Sequence, residues 1–486
     1  MESIAPTITF ASLINGKSYH TQYAESVAVS SPIDGKTIYR IAEADQEIID
    51  AALMSADKAQ KKWRLTSTQQ RAALLRKIAT IIQENAHDLA KDEAIDTGKK
   101  FSNALNEIKL AVDYFHYFAA SILTQEEGAA VVENILSINL AEPLGKIGII
   151  LPWNFPLLMF SWKVAPALAA GNVVILKPSE YACLSIMKCM MLIRHILPRG
   201  VLNIILGRGN TTGKLMTKTL GFDKFIFTGG IESGKHIATT LAEQLVPYTL
   251  ELGGKSPCIV TKECLNKHDQ FFDDLMQTLL SFTYHQGQVC GNLSRLIIDK
   301  TIYNQVIDKI SQHLSTYKIG DPRNPKMQMG PIISLERKQV ILNYLESAKK
   351  NGCRISEFGA VSLDESTQGG FYLPAYLVEG NYQSPIYQEE LFAPILCLSS
   401  FSSLEEAIQI ANSSRYGLTA SVWSRNHDEA NYLTKNIIAG KIWVNTSHIY
   451  YPHTKFGGVK HSGTGNEMHC LALRDYQYIK NSVQPY

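Results

Sequence analysis

The chain has 486 residues, enough for two or three domains around a large core, and its 45% hydrophobic and 19% charged residues are those of an ordinary soluble globular enzyme. Forty-seven basic against 45 acidic residues leave a formal net charge of +2, which gives no electrostatic case for nucleic acid or an anionic membrane surface. The eight cysteines form no CxxC pair, and their spacing points to neither a metal site nor a dense disulfide framework.

The opening MESIAPTITFASLING lacks the basic region and apolar core of a secretory leader, and no run approaches about 18 consecutive apolar residues. A reducing cytoplasm and no membrane span are therefore expected. Residues 1 to 42 alternate short apolar runs with turn residues (Asn15-Gly16, Pro32, Gly35) and predict small strands and loops. Asp45 to Trp63 and Thr68 to Leu89 predict amphipathic helices. In the second, Leu74, Leu75, Ile78, Ile81 and Ile82 recur at helical spacing, with Thr68 as N-cap. A third helix is expected over Phe101 to Leu123, and a single strand over Val131 to Leu140.

From Lys146 the texture changes. The apolar runs GIILP (148–152), NVVILKP (172–178), VLNIILG (201–207) and KFIFTGG (224–230) alternate with helical segments, as in a parallel, doubly wound sheet. Glycine turns follow two of these strands: Gly207, Gly209 and Gly213 in GRGNTTG, and Gly229-Gly230 before Gly234. A glycine-rich turn entering a helix suits dinucleotide phosphates, although GRGNTTG is not the usual GxGxxG fingerprint and reads equally as a tight turn. After Glu251 a second α/β pattern runs through SPCIV (256–260), SRLIID (294–299), PILCLSSF (394–401), ASVWS (420–424) and GKIWVN (440–445). The tail, from Ala472, ends in the extended YQYIKNSVQPY.

Within this frame YHQGQVCGNLSR (284–295) sets Cys290 between Gly287 and Gly291, where the backbone can come close to whatever approaches the sulfur. Glu251, in LELGGK, is a carboxylate ahead of a flexible glycine pair, and a cysteine nucleophile needs such a base. On spacing alone Cys290 reads as a small apolar core residue.

The motifs PWNFP (152–156), KPSE (177–180), FTGG (227–230), ELGGK (251–255), GQVC (287–290), EELFAP (389–394) and FGGVKHSGTG (456–465) follow one another in a familiar order. In them the chain resembles the NAD(P)-dependent aldehyde dehydrogenases over essentially its whole length. The resemblance implies Cys290 as nucleophile, Asn154 as oxyanion donor together with the Cys290 backbone N–H, and Glu251 as the base for thioester hydrolysis. It implies Lys177 and Glu180 on the adenosine ribose; a carboxylate there accepts from both hydroxyls and repels a 2′-phosphate, favouring NAD over NADP. Trp153 and Gly230, with the turn glycines Gly207 and Gly213, are then cofactor neighbours, Glu390 holds the nicotinamide ribose, and Phe392 packs near the ring.

The matching tunnel positions are Phe155, Met159, Trp162, Tyr284 and Phe456. They imply an apolar aliphatic or aromatic aldehyde or, since WNFPLLM followed by WK resembles the betaine-aldehyde branch, betaine aldehyde. Without an arginine among these positions a dicarboxylic semialdehyde is disfavoured. Departures from the family pattern are Gly230 for serine, His285 for asparagine, Ala393 for glycine, Lys455 for proline and Asn466 for arginine. His285 is a loop or packing histidine, or one that tunes Cys290.

The implied fold is α/β: a Rossmann-type cofactor domain from 1–123 and 142–250, a catalytic α/β domain over 251–450, and a small β oligomerisation element from 124–141 and 463–486, in a homodimer or homotetramer. Two other readings remain. One is a CoA-acylating dehydrogenase, which typically lacks the glutamate base; the other is a silent protein on the same scaffold. Rapid modification of one cysteine near neutral pH would mark an activated thiolate.

Overall fold

A computed structural model describes residues 8–19 and 25–485. Residues 1–7 and 20–24 of the expected N-terminal strands and loops, and Tyr486 of the tail, lie outside the described residues.

The four apolar runs after Lys146, with Tyr248–Glu251, form the parallel heart of an eight-stranded sheet. Its spatial order is Leu202–Ile204, Val173–Lys177, Lys146–Ile150, Lys224–Thr228, Tyr248–Glu251. Val173–Lys177 is buried at every position, as a strand covered on both faces should be. The registers Ile149↔Leu176 and Ile149↔Ile226 bring the carboxyl ends of the central strands level. Chain order reverses between Lys146–Ile150 and Lys224–Thr228, and at such a reversal the loops leave in opposite directions and open a crevice. Ser12–Ile14 and Lys17–Tyr19 extend one edge antiparallel through a turn at Asn15 and Gly16, both at positive φ (56° and 73°). On the other edge Gly463–Thr464 pairs with Leu250 and Glu251.

The helix Pro156–Ala170 is buried along all 15 of its residues, because it is apolar around its whole circumference. Pro156 starts it at a position with no N–H to lose, and Gly171 ends it in the left-handed region at φ 97°. Against it packs Phe101–Ser121, close to the expected third helix.

Three local expectations change. The helix expected from Thr68 to Leu89 is two, Thr68–Glu84 and Ala86–Thr97, because the Asn85 side-chain amide donates to the Ile81 carbonyl (2.8 Å) and its backbone leaves the helical region. The N-cap is Ser67, not Thr68: Ser67 Oγ accepts from Gln70 N while Gln70 Oε1 accepts from Ser67 N. The single strand expected over Val131–Leu140 is a hairpin of Ala129–Val132 and Ile135–Pro143, turned at Glu133 with φ 56°.

A seven-stranded second sheet has the order Arg354–Phe358, Ala375–Glu379, Ile395–Phe401, Arg295–Asp299, Pro257–Val260, Thr419–Trp423, Lys441–Val444, parallel except for Arg354–Phe358. The tail strand Gln477–Pro485 pairs antiparallel along Ile135–Pro143. Residues 463–476, grouped with the tail on sequence, belong instead with the first sheet through Gly463–Thr464 and through the turn Leu471–Arg474 on the buried helix.

Asn172 joins these parts. Its Oδ1 accepts from Gly145 N (2.8 Å), and its Nδ2 donates to the carbonyls of Ala167 (3.2 Å) and Tyr476 (2.9 Å). Asn172→Ala leaves Gly145 N unpaired, while Ala167 O and Tyr476 O keep the backbone donors Asn172 N (3.0 Å) and Leu144 N (3.3 Å), and a loss of about 1–3 kcal/mol is expected. The checks are a lowered denaturation midpoint and hydrogen exchange that opens first over 477–485.

Candidate active site

Strain and hydrogen bonds together shape the nucleophile loop. Gln270–Leu280, capped by Asp269 on Phe272 N (3.2 Å), leads into three successive left-handed residues: His285 (φ 45°), Gln286 (56°) and Gly287 (73°). For a non-glycine residue this conformation costs of order 1–3 kcal/mol and persists only where its surroundings enforce it. Here Gln286 Nε2 donates to Gly98 O (3.2 Å), Gln288 Oε1 accepts from Ile333 N (2.9 Å), and a Cβ on Gly287 would lie 2.0 Å from the Ala393 carbonyl oxygen. The turn thus extends beyond the glycine that marks it in sequence. His285 sits edge-on between the rings of Trp153 and Phe155; burial and nearby Lys99 hold its pKa well below the usual histidine range, so it is neutral.

Cys290 stands where two cavities meet. One, of about 770 Å³, is lined by Phe155, Met159, Trp162 and Tyr284 together with His448 and Tyr450. The other, of about 410 Å³, lies at the strand-order reversal and is lined by Trp153, Asn154, Gly230, Glu251, Glu390 and Phe392; Cys290, Phe155 and Met159 border both. Of the expected tunnel residues, Phe456 is the exception: it is buried behind the wall, against Trp162 (5.5 Å between ring centroids) and Tyr450 (5.8 Å). No arginine lines the larger cavity; Lys100 and Asp274 are its charged members beside Glu107.

Asn154 follows Lys146–Ile150 and is 4% exposed. One N–H of its amide donates to the Gln288 carbonyl (2.9 Å), which leaves the second for a ligand oxygen near Cys290. Glu251 ends its strand fully buried, and neither carboxyl oxygen has a hydrogen-bond partner among the described residues. Burial first, then the neighbouring Glu467 carboxylate, raise its pKa well above the carboxylate range, while Lys163 opposes them. Lys163 is itself fully buried and paired with Glu467, a pair that the motifs do not single out. Burial, then Glu251 and Glu390, push the Cys290 thiol up to about 12. Burial and the two carboxylates outweigh the Gly291 N–H and Lys163, which act in the opposite direction, so the thiol form is favoured.

At the carboxyl ends of Val173–Lys177 and Leu202–Ile204 the structure gathers Lys177, Glu180, Gly207 and Gly213. Lys177 Nζ donates to Pro178 O (3.1 Å) and lies 3.6 Å from Glu180 Oε2, while Glu180 Oε1 accepts from Gly209 N (2.9 Å). Gly207, at φ 145°, would place a Cβ 2.0 Å from Thr212 Oγ1, and the Gly213 Cβ site faces the Lys177 stem at 3.7 Å. Gly230 caps the helix Ile231–Glu243 with nothing within 4 Å of its Cβ site, so the family's serine is absent without any filling of the space. Glu390 Oε1 accepts from Gly254 N (3.0 Å), and burial raises its pKa to about 7. Ala393 is buried against Gly287, Lys455 is exposed, and Asn466 N donates to Asp475 Oδ2 (2.7 Å).

These groups fit a nicotinamide dinucleotide: backbone donors and a helix N-terminus for phosphates, and two carboxylates for two ribose diols, Glu180 at the carboxyl edge of the first sheet and Glu390 on the loop before Ile395–Phe401 of the second.

Comparison with known proteins agrees with this layout. Residues 19–482 match the model of the aldehyde dehydrogenase family. The chain is 38% identical over 453 residues to aldehyde dehydrogenase B of Escherichia coli, covering 93% of this chain and 88% of that protein. It is 39% identical over 458 residues to a long-chain-aldehyde dehydrogenase of Acinetobacter, covering 94% and 91%. A solved betaine aldehyde dehydrogenase of Staphylococcus aureus in complex with NAD+ superposes with a TM-score of 0.94 over 98% of both chains at 29% identity. With the family model matched over residues 19–482 and relatives 38–39% identical over nearly the whole length, the chain belongs to the aldehyde dehydrogenase family and is an enzyme of that family.

Proposed function

We propose that this enzyme oxidises an apolar aliphatic or aromatic aldehyde, or betaine aldehyde, to the carboxylic acid with NAD through a cysteine-bound intermediate. The observation that carries the reading is the position of Cys290 at the junction of two cavities, with Asn154 and Glu251 both at that junction.

Cys290 Sγ adds to the aldehyde carbon and its proton passes to Glu251, while the free N–H of Asn154 and the Cys290 backbone N–H stabilise the oxygen anion. When bound, NAD accepts the hydride that leaves this carbon and so leaves a thioester on Cys290. Glu251 releases that proton to solvent and then takes one from water as the water oxygen attacks the thioester; the C–S bond breaks, Glu251 returns this proton to the Cys290 sulfur, and the acid departs. Lys163 and Glu467 set the charge around Glu251. Trp153, Lys177, Glu180, Gly207, Gly213, Gly230, Glu390 and Phe392 hold and orient the cofactor.

NAD over NADP is supported by Glu180 and by Arg208, whose guanidinium is already committed to Glu43 (2.6 Å) and Glu25 (3.2 Å) and so is withheld from a 2′-phosphate. The wall formed by Trp162, Tyr284 and Tyr450, free of arginine, suits apolar tails and, through ring faces, a quaternary ammonium. Glu251 speaks against CoA acylation. In this reading residues 1–123 and 142–250 serve the cofactor and 251–450 the nucleophile.

The three-stranded sheet serves a homodimer or homotetramer. In the sheet formed by Ala129–Val132, Ile135–Pro143 and Gln477–Pro485, Val132, Ile135, Ile479 and Val483 share one face and are 39–63% exposed, an apolar face that a second copy would cover.

NADH formation with propanal, hexanal, benzaldehyde, betaine aldehyde and succinic semialdehyde is expected for the first four, independent of CoA and weaker with NADP. It falls ~10⁴-fold or more in Cys290→Ala. Preference for succinic semialdehyde would overturn the substrate class. A thiol held up to about 12 is almost wholly protonated at neutral pH, and its thiolate fraction grows with each proton removed. Cofactor-free alkylation of Cys290 by iodoacetamide should thus rise about tenfold per pH unit from about pH 6 to 9; a plateau by neutrality would contradict this. Val483→Asp should shift sedimentation toward smaller species, whereas an unchanged profile would remove this sheet from the interface.

A further inference from the structure

Lys99 has no exposure to solvent and none of its three ammonium hydrogens is spare. They reach Glu93 Oε1 (3.1 Å), Glu107 Oε2 and the carbonyl oxygen of Asn154 (2.8 Å). The remaining carboxylate oxygens are occupied as well. Glu93 Oε2 accepts from Leu157 N (3.3 Å) and Ser185 Oγ (3.2 Å), and Glu107 Oε1 accepts from the Tyr284 hydroxyl (2.7 Å).

Besides Ser185, the network ends on three segments that meet at the site. One end is the backbone of Asn154 itself. A second is the first turn of Pro156–Ala170, where Phe155 provides no side-chain cap and Glu93 takes that place. The third is Tyr284, at the start of the strained turn that carries Cys290. The peptide whose carbonyl Lys99 holds belongs to the residue whose amide points at the reaction centre. With both ends of Asn154 fixed, by Lys99 at the carbonyl and by Gln288 at the side chain, the second amide N–H has one direction left.

A buried ion network is a poor source of net stability but a good way of fixing position, since every misaligned arrangement leaves a charge unpaired. Were it only a packing device, it could end anywhere in the interior. We propose that Lys99 is a positioning residue for the oxyanion donor, aiming Asn154 directly and, through Glu107 and Tyr284, setting the distance between Asn154 and the nucleophile loop. The inference rests on the oxyanion role of Asn154 given above.

A double-mutant cycle on the full-length enzyme, with NAD and propanal, tests it. Asn154→Ala is expected to lower kcat by about 10²–10³-fold, the usual effect of removing one oxyanion donor. Lys99→Met should lower kcat at least about tenfold with KM changed far less, the pattern for an interaction felt mainly in the transition state. The combined variant should match Asn154→Ala within about twofold, because a residue acting only through Asn154 has nothing further to lose. Multiplying effects in the combined variant, or an unchanged kcat in Lys99→Met, would overturn the proposal. Should Lys99→Met not fold, Glu107→Gln takes its place in the same cycle; it keeps an acceptor for Tyr284 and weakens only the hold on Lys99. Unchanged kcat in Asn154→Ala would instead refute the oxyanion reading and take this inference with it, so the two failures are distinct.

Discussion

Two cavities meet at Cys290, so that in the proposed reaction cofactor and aldehyde approach it from opposite sides, and this junction is the constraint on which the rest of the structure depends. It is met by bringing the edge of one sheet, at its order reversal, against a loop of another. Glu251 and Asn154 come from the first sheet; Cys290 leaves the helix that precedes Arg295–Asp299 of the second. Neither sheet alone forms the site. The fully buried helix Pro156–Ala170 begins at the site and is apolar all round because it is packed on every face.

Buried cations hold this junction. Lys99 joins the Asn154 loop to the nucleophile loop, Lys163 pairs with Glu467 behind Glu251, and Arg295 donates to the carbonyls of Lys255 (2.8 Å), Ile410 (2.9 Å) and Ala411 (2.7 Å). All three are almost wholly buried, and desolvation lowers the Arg295 pKa to about 10. Taking such charges out of water is costly, so their net worth lies in geometry: each binds backbone or carboxylate groups from segments distant in sequence.

How much of this is legible in sequence follows from which interactions are local. Strands such as Val173–Lys177 announce themselves through unbroken β-branched runs, and the helix after Gln46 through its period. The hairpin at Glu133 and the break at Asn85 were not legible. Each depends on one residue whose left-handed backbone or side-chain amide overrides a pattern that reads straight through it. At the site, Cys290, Glu251 and Asn154 stand in recognisable motifs. The roles of Lys99, Glu107 and Glu467 are not legible there, because they depend on partners the fold brings together: Asn154 O lies 55 residues from Lys99, Tyr284 lies 177 from Glu107, and Lys163 lies 304 from Glu467. Lys163 stands beside Trp162 in the run read for substrate, but only the fold discloses that it faces Glu467. Phe456 shows the opposite error, since an aromatic in a tunnel motif can back the wall instead of lining it.

The protonation state of the resting site follows from the same burial. Glu251 and Glu390 both have raised pKa values, chiefly from burial, and burial of the sulfur, with these two carboxylates second, keeps the Cys290 proton in place. A sulfur held as thiol resists the oxidation and alkylation to which a free thiolate is open, at the expense of a proton that must be removed in each turnover. In the proposed mechanism the base that removes it is Glu251, and two charges close by pull its affinity in opposite directions: Glu467 raises its pKa and Lys163 lowers it. A base in water at its ordinary carboxylate pKa would be ionised but too weak to take a proton from such a thiol. Burial makes Glu251 stronger and at the same time makes its ionised form scarcer, and Lys163 moderates the second effect without removing the first. The buried pair beyond Glu251 therefore bears on the rate without touching substrate, and its distance from the motifs in sequence says nothing about its weight in the chemistry.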